Sequence, residues 1–322
     1  MAVSVDLIGG SPAAFDELTN PFRRELLVHC YRMLGSIDDA EDAVQDTFVR
    51  AWNGRGTFQR AVSLRAWLYR IATNVCLDAI GRRKRAQGAS ESLDIGPIPD
   101  ELLDDTSAGP EARYDERESI SLAFLTALQL LPARQRAVLL LRDVLAWQAS
   151  EVAELLDLTV PAVNSALHRA RTTVSGTYAS GGDGGLRTGP SPRTTTEPGG
   201  LRAVLERYVR AWETADVAGL VALLREDAIV SMPPAVFLTG RAMIRAFLTG
   251  SVLAGGTRIR MVPVSANLMP AFAIYSGGPT DPDVRPYAVV LLDVDGPLIA
   301  RMSVFADPAL VARFRLPASI AG

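Results

Sequence analysis

Five polar side chains between residues 164 and 171 have the types and spacing needed to bind nucleic acid. They recur opposite an i, i+3, i+4, i+7 apolar stripe made of Val163, Ala166, Leu167 and Ala170, so the pattern predicts one polar face on a helix. Amide, hydroxyl, imidazole and guanidinium groups can hydrogen-bond to base edges and phosphates. The five candidates are Asn164, Ser165, His168, Arg169 and Arg171.

A second candidate set lies between residues 57 and 85, where basic and aromatic side chains are interleaved. Single-stranded DNA needs this combination, because positive charge follows the phosphates while rings or Arg planes receive unstacked bases. The alternative is that the aromatic side chains simply form a core, and for Trp67 that interpretation is favoured. Ser63 is the predicted N-cap of the helix that carries this segment.

A third candidate surface is acidic and belongs to a helix predicted to begin at Asp38 or Asp39. Ala40, Val44 and residues 47–48 and 51–52 form its inner stripe. The outer face carries Asp39, Asp42, Gln45, Asp46 and Val49. A merely solvated acidic face is the alternative, since acidic residues favour helix N-termini.

The element that must position the first set is a helix-turn-helix. Leu131-Pro132 opens a preceding helix, Val152 to Leu156 forms the next one, and a tight break follows at Asp157-Leu158. Thr159 is a suitable N-cap for the helix with the polar face. An ordinary three-helix bundle with a solvated basic face remains the alternative at this point.

Composition limits the remaining functions. The 322 residues carry a net charge of −3, which does not suit a protein that merely coats DNA, and 48% of them are hydrophobic. No apolar run is long enough to span a membrane and no signal peptide is recognisable, so a cytoplasmic protein is expected. Cys30 and Cys76 are predicted to be reduced and buried, and with two histidines no zinc site or other cofactor is expected.

The C-terminal third predicts helices followed by an antiparallel sheet, which is an α+β arrangement. The expected strands are 228–232, 258–267, 270–276, 285–294 and 298–305. Asp227, Asp293 and Asp295 are the carboxylates that could serve as a general base. Each also fits a helix-end, strand-end or turn position, so no catalytic residue is assigned and the chain is not expected to be an enzyme.

Three motifs resemble sigma-70-family sigma factors of the extracytoplasmic-function (ECF, group IV) type. Residues 130–174, with the patterns LPxxxRxVxxL, ExAxxL and VxxxLxRAR, resemble region 4, which binds the −35 element and the polymerase β flap. Taken alone, this region could equally belong to a LuxR-type regulator. The segments YRMLGSIDDAEDAVQDTFVRAW and TFQRAVSLRAWLYRIATNVCLDAIGRRKR resemble regions 2.1–2.2 and 2.3–2.4.

This resemblance implies roles for the helix with the acidic face and for the helix in residues 57–85. Asp39, Asp42, Gln45 and Asp46 would face core RNA polymerase at its β′ clamp helices. A second set would recognise the single-stranded −10 element. Its members are Phe58, Arg60, Ser63, Arg65, Arg70, Asn74, Arg82 and Arg83.

The C-terminal motifs LxxYvxAWexxDvxxLxxLLxxDA, MPP and TGRxxIxxFL resemble SnoaL-like domains of the nuclear-transport-factor-2 (NTF2) superfamily. The predicted fold class is therefore multidomain: two all-α sigma domains, the second a helix-turn-helix, followed by an α+β SnoaL/NTF2-like cone. The expected boundaries are sigma2 at 11–85, an acidic linker at 86–112, sigma4 at 113–178, a flexible linker at 179–199 and the SnoaL-like domain at 200–322.

The predicted function is promoter recognition and transcription initiation with core RNA polymerase, modulated by the fused C-terminal domain. Predicted partners are core polymerase, −35 duplex DNA and −10 single-stranded DNA, with no membrane. The C-terminal domain is expected to dock on the sigma domains of a chain that is monomeric when free. The alternative is a SnoaL-type enzyme or ligand sensor fused to a LuxR-like helix-turn-helix regulator.

Overall fold

The computed structural model describes residues 11–58, 63–87, 95–103, 121–179, 198–233 and 236–322. Contacts divide the chain into two units, one made of Met1–Gly96 with Leu102–Gly189, and the other of Pro97–Glu101 with Pro190–Gly322. Arg60 and most of the two predicted linkers, 86–112 and 179–199, lie outside the described residues.

The N-terminal part of the first unit contains four α-helices with two short 3-10 turns. They are α1 (Pro12–Thr19), α2 (Arg23–Leu34), α3 (Ile37–Gly54) and α4 (Leu64–Gln87), and the turns are Asn20–Phe22 and Arg55–Thr57. Gly35 ends α2 in the left-handed region with φ 84°, and the next residue, Ser36, caps α3. The Ser63 hydroxyl accepts a hydrogen bond from the Ala66 N–H at 3.1 Å, which confirms the predicted cap of α4.

The remaining helices of the first unit confirm the helix-turn-helix. They are α5 (Leu122–Gln129), α6 (Ala133–Leu139) with a π-helical segment at Leu140–Val144, α7 (Ala149–Leu156) and α8 (Val160–Ala179). Asp157 ends α7 with φ 52°, and the Thr159 hydroxyl accepts from the Ala162 N–H at 3.3 Å as the cap of α8. The predicted stripe of Val163, Ala166, Leu167 and Ala170 is buried.

The core of the N-terminal helices includes both cysteines. Cys30 in α2 and Cys76 in α4 are fully buried and form no disulfide, as predicted. Burial raises the pKa of the Cys76 thiol. Since the thiolate is the reactive form, the two side chains act here as small apolar packing groups.

The second unit begins with helices and continues into a sheet. Its helices are α9 (Pro198–Glu213), α10 (Val217–Ala222), α11 (Arg241–Phe247) with a π-helical segment at Leu248–Val252, and α12 (Pro308–Ala312). Its strands are β1 (Leu224–Met232), β2 (Val236–Thr239), β3 (Arg258–Ala266), β4 (Met269–Gly277), β5 (Asp283–Asp295), β6 (Leu298–Phe305) and β7 (Ile320–Ala321). A further 3-10 turn spans Asp100–Leu102.

The sheet is mixed rather than antiparallel, so that part of the prediction was wrong. The strand order is β2–β1–β6–β5–β4–β3, with β7 paired to β5 off this path, and β1 runs parallel to β6. A parallel pair requires a crossover connection, which α11 and strands β3 to β5 provide along the chain. The short strand β2 was not predicted.

One face of this sheet and the helices above it form the core of the second unit. Val204 and Tyr208 of α9 and Ile244 of α11 pack with Phe272 of β4 and Val290 of β5. Alternate strand residues supply the sheet side of the core because successive side chains point to opposite faces. The predicted α+β class is confirmed.

Candidate nucleic-acid and protein interfaces

The exposed face of α8 carries all five residues of the first candidate set. The apolar stripe of α8 defined above is buried, whereas the five polar residues opposite it are exposed. These are Asn164, Ser165, His168, Arg169 and Arg171. Residues 158–179 contain no Asp or Glu, so nothing on this helix repels phosphate. The geometry is that of a second helix of a helix-turn-helix, whose N-terminal half enters a major groove.

Two arginines on this face have partners within the protein. The Arg169 guanidinium donates to the Ser165 hydroxyl at 2.6 Å. Arg171 donates to both carboxylate oxygens of Asp143 at 2.9 and 2.7 Å, and this hydrogen bonding raises the pKa of Arg171. Sequence reasoning missed Asp143, because a partner 28 residues away leaves no local pattern. The pair fixes Arg171 near the end of the exposed face.

The α4 candidates differ widely in their surroundings. Asn74, Arg82 and Arg70 are exposed, and Arg65 bonds to Glu25, with 2.7 Å between Nη2 and Oε2. The Phe58 side chain is buried and packs edge-to-face on Trp67, with 5.3 Å between ring centroids. This burial favours a packing role for Phe58. Arg60 lies outside the described residues.

The acidic face of α3 is present and partly paired. Asp42 and Gln45 are exposed, whereas Asp39 and Asp46 are half-buried. Asp39 accepts a hydrogen bond from Arg83 of α4, and Asp46 lies 3.8 Å from Arg50. Val49, one helical turn beyond Gln45 and Asp46, is 52% exposed. The face therefore offers one apolar side chain among acidic and amide groups.

The two helical halves of the first unit are in direct contact through a buried arginine. Arg136 of α6 donates to the Met33 carbonyl of α2 and to the carbonyls of Gln129 and Leu131. Burial lowers the pKa of Arg136 to about 10. A guanidinium with this many acceptors stays charged at neutral pH and joins α6 to the end of α2.

Two further contacts join the same halves. The Trp147 ring lies 5.5 Å from the Tyr69 ring of α4, centroid to centroid. The Arg70 Nη2 atom of α4 lies 3.5 Å from Asp157 Oδ1, in the turn of the helix-turn-helix. A predicted −10 residue and the turn that precedes the predicted −35 helix are therefore neighbours.

The segment between the two helical halves bonds at both of its ends to the first unit. The Gly96 N–H donates to the Gly35 carbonyl at 3.0 Å, and the Tyr31 hydroxyl donates to the Gly96 carbonyl at 2.8 Å. On the other side, Arg24 donates to the Leu102 carbonyl at 3.1 Å. The intervening residues 97–101 belong to the second unit, where they contact the β3–β4 hairpin.

Two of the three candidate carboxylates of the second unit form ion pairs with one arginine. Arg225 donates to both oxygens of Asp227 at 2.9 Å and to Asp295 at 2.7 Å. These bonds, chiefly the one to Asp227, raise the pKa of Arg225. Asp293 pairs in register with Arg301 of β6. Asp227 and Asp295 are therefore held in ion pairs with a single arginine.

A cavity of about 320 Å³ lies elsewhere in the second unit, between the end of α9 and β3. Trp212, Glu213, Leu253, Arg258 and Arg260 are among its lining residues, and none of the three candidate carboxylates is. Among the described residues, no cluster of His, Cys, Asp and Glu could hold a metal ion. None of the helices that the structure describes is long and apolar enough to cross a membrane.

The fold and these surfaces define a helical protein with a helix-turn-helix and a fused α+β domain, and comparison with known families gives its class. Residues 18–86 match the sigma-70 region 2 family, 121–174 match the sigma-70 region 4 family, and 205–302 match the SnoaL-like domain family. The region 2 match covers a part of the chain that a LuxR-type regulator does not explain.

Relatives of known identity make the assignment specific. The ECF RNA polymerase sigma factor SigG of Mycobacterium tuberculosis strain H37Rv is 38% identical over 326 residues, covering 95% of this chain and 85% of that protein. SigW of Bacillus subtilis is 29% identical over 50% of this chain and 87% of that protein. The chain belongs to the ECF sigma factors and carries a C-terminal SnoaL-like domain.

A solved structure shares the fold. The crystal structure of the M. tuberculosis ECF sigma factor SigJ matches with a TM-score of 0.61 at 20% identity, covering 94% of this chain and 99% of that one. This likeness confirms the predicted fold, and the 38% identity to SigG confirms the predicted family. As a sigma factor, the chain directs RNA polymerase to promoters, and the enzyme or LuxR-like alternative is not favoured.

Proposed function

We propose that three faces of the helical unit bind three different partners during initiation: core polymerase, the −35 duplex and the −10 single strand. The α3 face with Asp39, Asp42, Gln45 and Asp46 docks on the β′ clamp helices of core polymerase. The α8 face reads the −35 duplex while its domain contacts the β flap. Support comes from the separation of charge, since α3 exposes acidic and amide groups and α8 exposes none that is acidic.

The −10 single strand is bound along α4. Arg70, Asn74 and Arg82 are exposed along this helix, and the exposed Lys84 and Arg85 extend the positive charge to its end. Ser63 begins the helix as its cap, Phe58 supports the preceding turn by packing on Trp67, and Arg65 is held by Glu25. Arg60 keeps its proposed role in this set.

The single observation that carries the regulatory part of the proposal is the 3.5 Å contact between Arg70 and Asp157. By their numbering the −10 and −35 elements lie about 25 base pairs apart, or roughly 85 Å at 3.4 Å per base pair. Surfaces joined by a salt bridge cannot reach both elements at once. The packed helical unit is therefore a resting form, and polymerase separates its halves.

The SnoaL-like domain modulates this transition by docking within the chain rather than by catalysis. The candidate carboxylates lie apart from the cavity, and Asp227 and Asp295 pair with Arg225, which supports a non-enzymatic role. The domain limits that we propose are 11–85, 86–112, 113–178, 179–199 and 200–322. The free protein is a cytoplasmic monomer that needs neither cofactor nor metal.

A gel-shift comparison tests this proposal. Free protein should bind promoter duplex only weakly, because one helix-turn-helix monomer makes few base contacts. With core polymerase the same DNA should shift at much lower protein concentration and in a −35-dependent manner. Tight, site-specific binding by the free protein, with no stimulation by core polymerase, would instead support a stand-alone regulator.

A further inference from the structure

The side chain of Arg171 in α8 is held along one edge by Asp143. Its Nε–H donates to Asp143 Oδ2 at 2.9 Å, and its Nη2 donates to Oδ1 at 2.7 Å. A guanidinium is planar and carries five N–H donors in fixed directions. Two side-by-side bonds therefore fix both the position and the plane of this group, which a single bond would not do.

Asp143 lies in the π-helical segment at Leu140–Val144, on a regular hydrogen-bonded backbone. The Leu145 N–H donates to the Leu140 carbonyl at 2.9 Å, which is the wide i to i−5 spacing of a π-helix. The Asp143 side chain is 29% exposed, whereas that of Arg171 is 59% exposed. A more buried acid on an ordered backbone thus orients a more exposed arginine.

Arg171 shares an exposed row of α8 with two residues of the proposed −35 face. Asn164, His168 and Arg171 follow one another at spacings of four and three residues, so they lie on the same side of the helix. At 1.5 Å per residue the row is roughly 10 Å long, which corresponds to about three base pairs. Arg171 is therefore placed to reach the same groove as the other two.

The ion pair determines which DNA group suits Arg171. The Asp143 charge balances that of the guanidinium, and the carboxylate itself repels a phosphate, so a phosphate contact by this pair gains little. A guanine edge is uncharged and offers two acceptors, O6 and N7, to a parallel pair of N–H groups. After the two bonds to Asp143, such a pair remains at the Nη1–Nη2 end of the guanidinium.

We propose that Asp143 is a positioning residue that makes Arg171 a reader of one guanine in the −35 duplex. The Nε–Nη2 edge bonds to the carboxylate, and the Nη1–Nη2 end donates to guanine O6 and N7. This inference rests on the proposed −35 function of α8 and adds the base that one position selects. A pair that only holds α6 against α8 is the alternative that the experiment must separate from it.

Binding of the complex with core polymerase to promoter duplexes tests the contact, with each −35 guanine on either strand replaced in turn by 7-deazaguanine. This base still pairs with cytosine and lacks only the N7 acceptor. In the wild type, one such replacement should weaken binding about fivefold or more. Arg171→Ala should bind the normal duplex more weakly and should be insensitive to that same replacement.

Asp143→Ala separates positioning from simple attachment. It should lose most of the sensitivity to 7-deazaguanine, and log K should fall more steeply with log salt, by about 0.9, because the released arginine reaches a phosphate. Asp143→Asn keeps one oxygen acceptor, so it should retain more of the sensitivity, and it replaces Asp143→Ala if that variant does not fold. Glu154→Ala, which removes an exposed acid from α7, is the control and should keep both wild-type values.

Each contrary result has a distinct meaning. The base contact would be overturned if no −35 guanine gave a loss that depends on Arg171. Unchanged 7-deazaguanine sensitivity and salt slope in Asp143→Ala, with only a lower stability, would reduce the pair to an attachment between α6 and α8. Binding that is unaffected by scrambling the whole −35 element would overturn the proposed function of α8, and this inference with it.

Discussion

The Arg83 guanidinium near the end of α4 donates a hydrogen bond to the Asp39 carboxylate in the first turn of α3. Both groups are half-buried. This bond links a residue proposed to meet core polymerase with one proposed to meet the −10 strand. One ion pair therefore joins the two proposed binding faces, and the charge of Arg83 is already partly balanced within the protein.

Neighbouring arginines should therefore differ in their contribution to DNA binding. Arg82→Ala removes an exposed charge and should lower the slope of log K against log salt by about 0.7, the value for one single-strand phosphate contact. Arg83→Ala should change this slope less, because Asp39 competes for the guanidinium. Binding of holoenzyme to −10 single-stranded oligonucleotides at several salt concentrations measures both. Equal slope changes would show that the Asp39 pair does not restrict Arg83.

Asn164 of α8 should read a base edge in the −35 element. Asn164→Ala should weaken holoenzyme binding to an intact promoter by roughly 1–3 kcal/mol, because a bidentate contact to an adenine edge is lost. Thr172→Ala, two turns further along the same exposed face, is the matched control and should change affinity little. The loss should disappear when the −35 sequence is scrambled. A loss of the same size on scrambled DNA would assign Asn164 to a sequence-independent contact.

Arg136 should be the most important polar side chain for the stability of the helical unit. Arg136→Ala leaves the carbonyls of Met33, Gln129 and Leu131 without this donor, and each buried acceptor left unpaired costs about 1–3 kcal/mol. A total loss above about 3 kcal/mol is expected by chemical denaturation. Arg134→Ala, on the exposed side of the same helix, should stay within about 0.5 kcal/mol of the wild type. Similar losses for both variants would contradict the buried role.

His29 should make stability fall in mild acid. Burial, with smaller contributions from Arg32 and Arg65, lowers the pKa of His29 from 6.5 to about 3, and the ring bonds to Thr73 at 3.0 Å. Between pH 6.5 and about 3, His29 is protonated in the unfolded chain but neutral in the folded chain. Stability is therefore complete above pH 6.5 and declines by roughly 1.4 kcal/mol per pH unit as pH falls towards 3.

Denaturant titrations between pH 7.5 and 4.5 measure this decline. His29→Gln keeps a polar group near Thr73 and cannot titrate. In this variant the unfolding free energy should fall less steeply with decreasing pH, by the contribution of one proton, about 1.4 kcal/mol per pH unit. An identical pH dependence in the two proteins would mean that His29 is protonated equally in the folded and unfolded chains.

Local patterns predicted the elements better than they predicted the contacts between them. The α8 stripe, the caps at Ser63 and Thr159, and strands β3 to β6 follow from periodicity and hydrogen-bonding chemistry within a few residues. The bond from Ile98 to Asn267 joins residues 169 positions apart. Periodicity predicts which side of a helix or strand is buried, but it does not predict which other element covers that side. The parallel pairing of β1 with β6 was missed for the same reason.

Transcription from the DNA upstream of the protein's own coding sequence tests the central claim most directly. Purified core polymerase should produce a defined run-off transcript from this DNA only when the protein is added, and alanine at Asp42 and Gln45 together should reduce it by weakening core binding. Glu154→Ala, which removes an exposed carboxylate from α7, is the control and should leave the transcript unchanged. A transcript whose amount and start site are the same with and without the protein would contradict the account.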